Sequence, residues 1–260
     1  MLTFTALPAF NDNYIWLLQN ADTLRCAVVD PGDAQPVLDW LAANQQWQLT
    51  DILITHHHHD HVGGVSQLKQ ATQAKVTGPA GEKIPGIDVA VDEGSHIELL
   101  GHSVQVFAVP GHTLGHVVYF SDDTPNAPWL LSGDTLFAGG CGRIFEGSAE
   151  QMYASLSKLA KLPDTTLVYC THEYTLSNLL FAVAVEPGNA ELAKRLLEVK
   201  QLREQQLITL PSNIALEKAS NPFLRCLEPA IKDAAEQKAK KTLPTASAVF
   251  AVLRSWKDTF

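Results

Sequence analysis

Residues Thr55-His56-His57-His58-His59-Asp60-His61 put five imidazoles and one carboxylate within seven positions. Imidazole nitrogen and carboxylate oxygen, with no thiolate among them, are donors for zinc, iron or manganese. In an extended segment the side chains at i and i+2 share a side, so His56 and His58 converge on one point. Asp60 and His61 lie past the turn and face a second point. The pattern H-x-H-x-D-H therefore supplies two ligand pairs and suits two metals better than one. The run is internal, follows the apolar segment Ile52-Leu53-Ile54 and leads into Val62-Gly63-Gly64, which is not the setting of a purification tag.

Three further polar clusters stand where an apolar run stops. Val104 to Val109 ends in Pro110-Gly111-His112-Thr113-Leu114-Gly115-His116. Trp129-Leu130-Leu131 ends in Ser132-Gly133-Asp134-Thr135, and Leu167-Val168-Tyr169 in Cys170-Thr171-His172-Glu173. Residues at strand ends are candidate ligands on loops held by a rigid scaffold. Any one alone reads as a hydrogen-bonded structural residue; four together beside H-x-H-x-D-H read as a metal site. His57 and His59 alternate with the ligands and point the other way, into hydrogen bonds or packing. His116 braces its loop, and His96 and His102 are ordinary strand or surface residues. Asp30, in Asp30-Pro31-Gly32, is read either as a carboxylate holding a ligand imidazole or as a plain turn residue.

The elements that must position these groups follow from periodicity and punctuation. Tyr14 to Leu18, Cys26 to Val29, Ile52 to Ile54, Lys75 to Thr77, Val89 to Val91, Ser95 to Leu99 and Val104 to Val109 read as strands. Asp33 can cap a helix from about Ala34 to Asn44, and a second helix runs from about Gly64 to Thr72. Strands with interleaved helices and several hairpins predict a mixed α/β sandwich. From Ser148 the period becomes helical. Ser148 and Gln151 form a capping-box signature, followed by a stripe of Met152, Leu156 and Leu159. Beyond the Leu167 to Tyr169 strand, helices are expected over Leu176 to Val185, Ala190 to Gln206, Glu228 to Lys241 and Thr245 to Lys257. Leu192, Leu196, Val199 and Arg203 share one side of the second. A boundary near Glu173 divides residues 1–173, the metal domain, from a helical domain, 174–260, meeting at a packed cleft.

The chain of 260 residues has 46% hydrophobic and 18% charged residues and a net charge of -9. That balance argues against nucleic acid or an anionic membrane as partner, while leaving room for a small anion in a local cationic pocket. Met1 to Thr5 has no basic or long apolar character, so no signal peptide is expected, and no apolar window is long enough for a membrane span. Cys26, Cys141, Cys170 and Cys226 lack CxxC spacing and read as reduced thiols of a cytoplasmic protein. A monomer is expected.

Taken together, Thr55 to Gly64, Pro110-Gly111-His112-Thr113, Gly133-Asp134-Thr135 and His172 resemble the metallo-β-lactamase superfamily, which implies an α+β fold, an αββα sandwich, here with a small C-terminal all-α domain. Further stretches resemble the glyoxalase II, or hydroxyacylglutathione hydrolase, family. They are Asp12-Asn13-Tyr14, Val29 to Gly32, Gly139 to Gly147, His172-Glu173-Tyr174-Thr175, Asn221 to Arg225 and Arg254-Ser255-Trp256-Lys257-Asp258. The resemblance implies that His56, His58 and His112 bind one metal, that Asp60, His61 and His172 bind the other, and that Asp134 bridges them. Two divalent ions, Zn2+ first with Fe or Mn also accommodated, would activate a hydroxide, with Asp60 and Asp134 as the catalytic carboxylates. Arg254 and Lys257, i and i+3 on the last helix, would hold the glycine carboxylate of glutathione, with Arg143 and Tyr174 holding the rest of the tripeptide. The implied reaction cleaves S-D-lactoylglutathione to D-lactate and glutathione, the second step of methylglyoxal detoxification. Phe145 stands where some relatives carry tyrosine, and Arg143 replaces a lysine, which keeps the charge and changes its geometry.

Other readings are separable. A mononuclear-iron persulfide dioxygenase would lack the helical tail with Arg254 and Lys257. A β-lactamase would carry a signal peptide, and a nuclease a basic surface. A non-catalytic binding module would have lost a ligand, whereas all seven are present.

Overall fold

The computed structural model describes residues 2–123 and 126–260. The chain divides into two compact units: Met1–Ala108 with Gly115–Gly133, and Val109–Leu114 with Asp134–Phe260.

In the first unit, six strands form one sheet in the order Leu2–Ala9, Asn13–Asn20, Arg25–Val29, Gln48–Leu53, Lys75–Pro79, Val89–Val91. The first two pairings are antiparallel and the next three parallel. The parallel strands read Cys-Ala-Val-Val and Ile-Leu because both of their faces are covered. On one face Ile15, Leu17, Val28, Ile52 and Val76 pack with Val37 of helix Gln35–Ala43 and with Val65 and Leu68 of helix Val65–Thr72. The N-cap of the first of these helices is Ala34, which makes no side-chain cap bond; Asp33, one residue earlier, accepts the Gln35 N–H at 2.9 Å. A second, antiparallel sheet runs His96–Leu99, His102–Ala108, Val117–Ser121, Trp129–Gly133. Tyr119 Oη of this sheet donates to Ile54 O at 2.8 Å, and Trp129 meets Phe4 edge-on at 5.6 Å, so the two sheets are locked face to face.

In the second unit, Leu167–Cys170 pairs with Ser212–Asn213, a strand too short to be read from pattern. Leu136–Phe137 and Gly140–Cys141 form a small hairpin. Around them lie helices Ala149–Leu159, Thr175–Val185, Ala190–Glu204, Ile214–Ser220, Pro229–Ala239 and Ala246–Lys257. The Ser148–Gln151 capping box forms in both directions, and Met152, Leu156 and Leu159 are buried. Asn189, Asn213 and Thr245 cap three more helices through their side chains. Helix Ala190–Glu204 buries Leu192 and Val199 as expected, with Arg195 between them. Helix Ile214–Ser220 was not expected from sequence. No helix among the described residues is long and apolar enough to cross a membrane.

Candidate active site

His56, His58, Asp60 and His61 lie in the first unit, at the carboxyl ends of its parallel strands, where open sheets place ligands. The register Val29↔Leu53 sets Asp30 beside the loop that follows Leu53, and the Asp30 N–H donates to Leu53 O at 2.9 Å. Asp30 sits at φ 51, a left-handed conformation that aspartate tolerates better than most residues. Its Oδ1 accepts the Thr55 N–H at 2.8 Å and its Oδ2 the Thr55 hydroxyl at 2.7 Å. Having given its one proton to Asp30, the Thr55 hydroxyl accepts from His56 Nδ1–H at 3.1 Å. Asp30 Oδ2 also faces His61 Nδ1 at 3.1 Å, with both side chains fully buried. His56 is thus protonated at Nδ1 and offers a bare Nε2, and the carboxylate facing His61 Nδ1 favours the same tautomer there.

The ligand-type atoms stand close together. His56 Nε2 is 3.0 Å from His58 Nδ1, and His61 Nε2 is 3.4 Å from Asp60 Oδ2. The Asn13 amide donates to Asp60 Oδ2 at 3.1 Å, which gives Asn13 of the Asp-Asn-Tyr stretch a place at the site. The short helix His59–Val62 rests against Gly32, where a Cβ would lie 1.9 Å from Asp60 O. Gly133, at φ 49, likewise passes Thr55 at a distance no side chain permits, since a Cβ there would be 2.4 Å from Oγ1. The histidines assigned no ligand role behave accordingly. His57 pairs with Glu82 at 2.9 Å, and His116 is buried and stacked on His56 with centroids 4.8 Å apart.

His112, Asp134 and His172 lie in the second unit, all buried. His112 Nδ1–H donates to Arg143 O at 2.7 Å. Its Nε2 and that of His172 each stand 3.4 Å from Asp134 Oδ2. Around a tetrahedral ion with bonds of about 2.0–2.1 Å, neighbouring ligand atoms are roughly 3.3 Å apart. Separations of 3.0–3.4 Å within each unit therefore fit a metal. With nitrogen and oxygen donors, and with His56 and His112 held through Nδ1, each unit offers donors that could hold a metal ion.

The second unit also gathers every residue expected to hold substrate. Arg143, Tyr174, Arg254 and Lys257 line a pocket of ≈ 240 Å³ with Phe137 and Asp258. Tyr174 stacks flat on His172, centroids 4.7 Å apart at 3°. Arg254 is only 8% exposed, and its Nη1 donates to Cys141 O at 2.8 Å and Gly142 O at 3.4 Å. Burial, and then the neighbouring Arg254 charge, push the Lys257 ammonium below its ordinary range. Phe145 is 60% exposed and meets His112 edge-on at 5.3 Å.

A network invisible to sequence reading props this pocket. Buried Glu217 accepts the Gly139 N–H at 2.8 Å and the Asn221 amide at 2.9 Å, and it is paired with Arg195 and Ser212. Asn221 donates onward to Gly140 O at 2.8 Å and Asn178 to Ala138 O at 3.2 Å. The hairpin that leads from Asp134 to Arg143 is held from three sides.

The family model of the metallo-beta-lactamase superfamily matches residues 10–172, more than half of the chain. Solved structures agree at the level of fold. ETHE1 from Myxococcus xanthus superposes with a TM-score of 0.64 at 24% identity, covering 100% of this chain and 99% of that one. The BLEG-1 B3 metallo-beta-lactamase gives 0.63 at 22%, covering 86% and 99%. The fold is thus the α+β fold of that superfamily, with a further C-terminal region: residues 173–260 match the model described as hydroxyacylglutathione hydrolase C-terminus. Hydroxyacylglutathione hydrolases of Pseudomonas syringae pv. syringae and Pseudomonas aeruginosa are each 59% identical over 260 residues, covering 100% of both chains. The chain belongs to the hydroxyacylglutathione hydrolase family.

Proposed function

We propose that the chain hydrolyses S-(2-hydroxyacyl)glutathione thioesters, S-D-lactoylglutathione foremost, to the 2-hydroxy acid and glutathione. The observation that carries this reading is the cationic pocket of Arg143, Arg254 and Lys257 beside Tyr174, in a chain matched end to end by hydroxyacylglutathione hydrolases. On this reading residues 1–173 form the metal domain and 174–260 the glutathione-binding domain. His56, His58 and His112 would hold one ion and Asp60, His61 and His172 a second, with Asp134 serving both. The donors would suit Zn2+ first, with iron and manganese accepted by the same set.

Two such ions supply Lewis acidity and lower the pKa of water enough to furnish hydroxide at neutral pH. The chain's own residues do the rest. Asp60, held by Asn13, orients the attacking oxygen. Arg254 and Lys257 engage the glycine carboxylate, and Arg143 and Tyr174 align the tripeptide so that the thioester carbonyl is presented in one pose. The thiol leaves as thiolate with little need of a proton, its pKa lying far below that of an alcohol. The substrate is a small molecule, and the enzyme acts as a monomer in the cytoplasm, where the four buried cysteines, none in a disulfide, stay reduced. The C-terminal family match favours the hydrolase over a persulfide dioxygenase on the same fold.

The test is hydrolysis of S-D-lactoylglutathione beside the same acyl group on a thiol that is not glutathione. Fast cleavage of the first alone is expected; equal rates would remove the pocket from the reaction, and no cleavage by metal-loaded protein would remove the hydrolase. Lys257→Ala is the cleaner probe of the pocket, because Arg254 also braces the backbone. Loss of one charged contact worth about 1.5 kcal/mol should raise KM about tenfold with kcat little changed.

A further inference from the structure

Beside its three cations the pocket holds one anion that no reading of the sequence assigned, Asp258. Its N–H donates to Arg254 O at 3.0 Å, so the end of the last helix fixes its position. From there Oδ1 accepts from Arg143 Nε and from Arg254 Nη2, both at 3.1 Å. A carboxylate after the last turn of a helix opposes the macrodipole, so helix stabilisation does not explain it. What it does is occupy a donor edge of both guanidinium groups. Arg254 spends Nη1 on the Cys141 and Gly142 carbonyls and Nη2 on Asp258, while its buried Nε makes no hydrogen bond. Arg143, with its side chain 55% exposed, keeps its outer donors for a ligand, as does Lys257.

We propose that Asp258 is a resident carboxylate that competes with an incoming ligand carboxylate for Arg143 and Arg254, making it a specificity-determining residue of this pocket. It lowers the pocket from three net positive charges to two and weakens the grip on any anionic ligand, so a product that keeps its carboxylates can leave. This rests on the glutathione reading above.

The experiment is titration calorimetry with S-methylglutathione, which cannot be hydrolysed and has no free thiol to seek a metal. The same molecule with its glycine carboxylate amidated is run beside it. Asp258→Asn keeps the size and one acceptor oxygen at the helix end, removes the charge and turns the second oxygen into a donor. It should bind S-methylglutathione about three- to tenfold more tightly than the wild type at low salt, an advantage that shrinks as ionic strength rises. Toward the amide the two proteins should be equal. Asp258→Ala, which also removes the acceptor, should tighten binding in the same direction. If Asp258 instead merely braces the arginines, Asp258→Ala weakens both ligands and the proposal falls. It falls too if Asp258→Asn leaves S-methylglutathione unchanged, or gains as much toward the amide. Should the wild type bind neither ligand, the glutathione reading itself fails, an outcome distinct from a wild type that binds and is indifferent to residue 258.

Discussion

Asp30 touches no expected ligand atom, yet it orients two imidazoles, holding His56 through the Thr55 hydroxyl and facing His61 Nδ1 at 3.1 Å. Asp30→Asn keeps the size and the left-handed backbone but replaces one acceptor oxygen with a donor. Losing such an outer contact typically costs ten- to a hundredfold in metal affinity, so about that loss is expected here. Metal content after dialysis against graded chelator reads it directly; unchanged retention would return Asp30 to a turn residue. Asp134→Ala should go further and abolish both activity and metal retention, and full activity with full metal content would remove it from the site. Asp30 was legible as a candidate because Asp-Pro-Gly ends a strand. Thr55 was not assigned a role, because its hydroxyl matters only once parallel pairing brings residues 25 positions apart into register.

At the level of elements, the helices of the second unit act as a cradle for the Leu136–Cys141 hairpin. Glu217 on helix Ile214–Ser220 and Arg195 on helix Ala190–Glu204 form a buried pair at 2.5 Å. Glu217→Ala would strand the Arg195 charge and release the Gly139 N–H, a loss of about 3–5 kcal/mol by precedent for broken buried pairs. Denaturant titration gives the stability. KM for the thioester should rise as well, since Arg143 lies just beyond the freed hairpin; a variant of native stability would show the pair to be dispensable. Periodicity announced helix Ala190–Glu204 but placed Arg203, rather than Arg195, with its apolar side. Arg203 instead pairs with Glu173 at 3.5 Å. A charged residue on the buried side of a helix is read as solvent-facing until its partner is known, and Glu217 is 22 residues away.

For the molecule as a whole, the alkaline limit of stability is set largely by its buried thiols. Burial pushes the Cys141 thiol up to about 11 and those of Cys26 and Cys170 up to about 12, from 9.0, with Cys226 shifted in the same direction. Above pH 9 the unfolded chain gives up these protons while the folded one keeps them, so unfolding gains. The contribution is intact below pH 9 and is lost as pH climbs toward 11. Each thiol removes about 1.4 kcal/mol per pH unit inside that window. The buried Tyr119 and Tyr169 hydroxyls, also pushed up by burial, add to this above pH 10, while Lys257, lowered by burial, works in the opposite sense, one group against six. Tm should fall steeply from pH 9 to 11, less so in Cys226→Ala, and a flat profile would contradict the assignment. The cysteines were read as plain reduced thiols because spacing carries no information on depth. Equally hidden was the excursion of Val109–Leu114, with His112, into the second unit; in the sequence it is simply a loop after a strand.

The bond from Arg254 to Cys141 joins residues 113 positions apart, and it has a consequence in time. Chains emerge from the ribosome at roughly 5–20 residues per second. All seven proposed histidine and aspartate ligands, the last at position 172, are therefore made well before the final helix exists. A nascent chain can present its metal donors while the wall that carries Arg254, Lys257 and Asp258 is still to be synthesised. On the proposed assignment, recognition of the tripeptide arrives last, so during birth this enzyme would bind metal before it could discriminate.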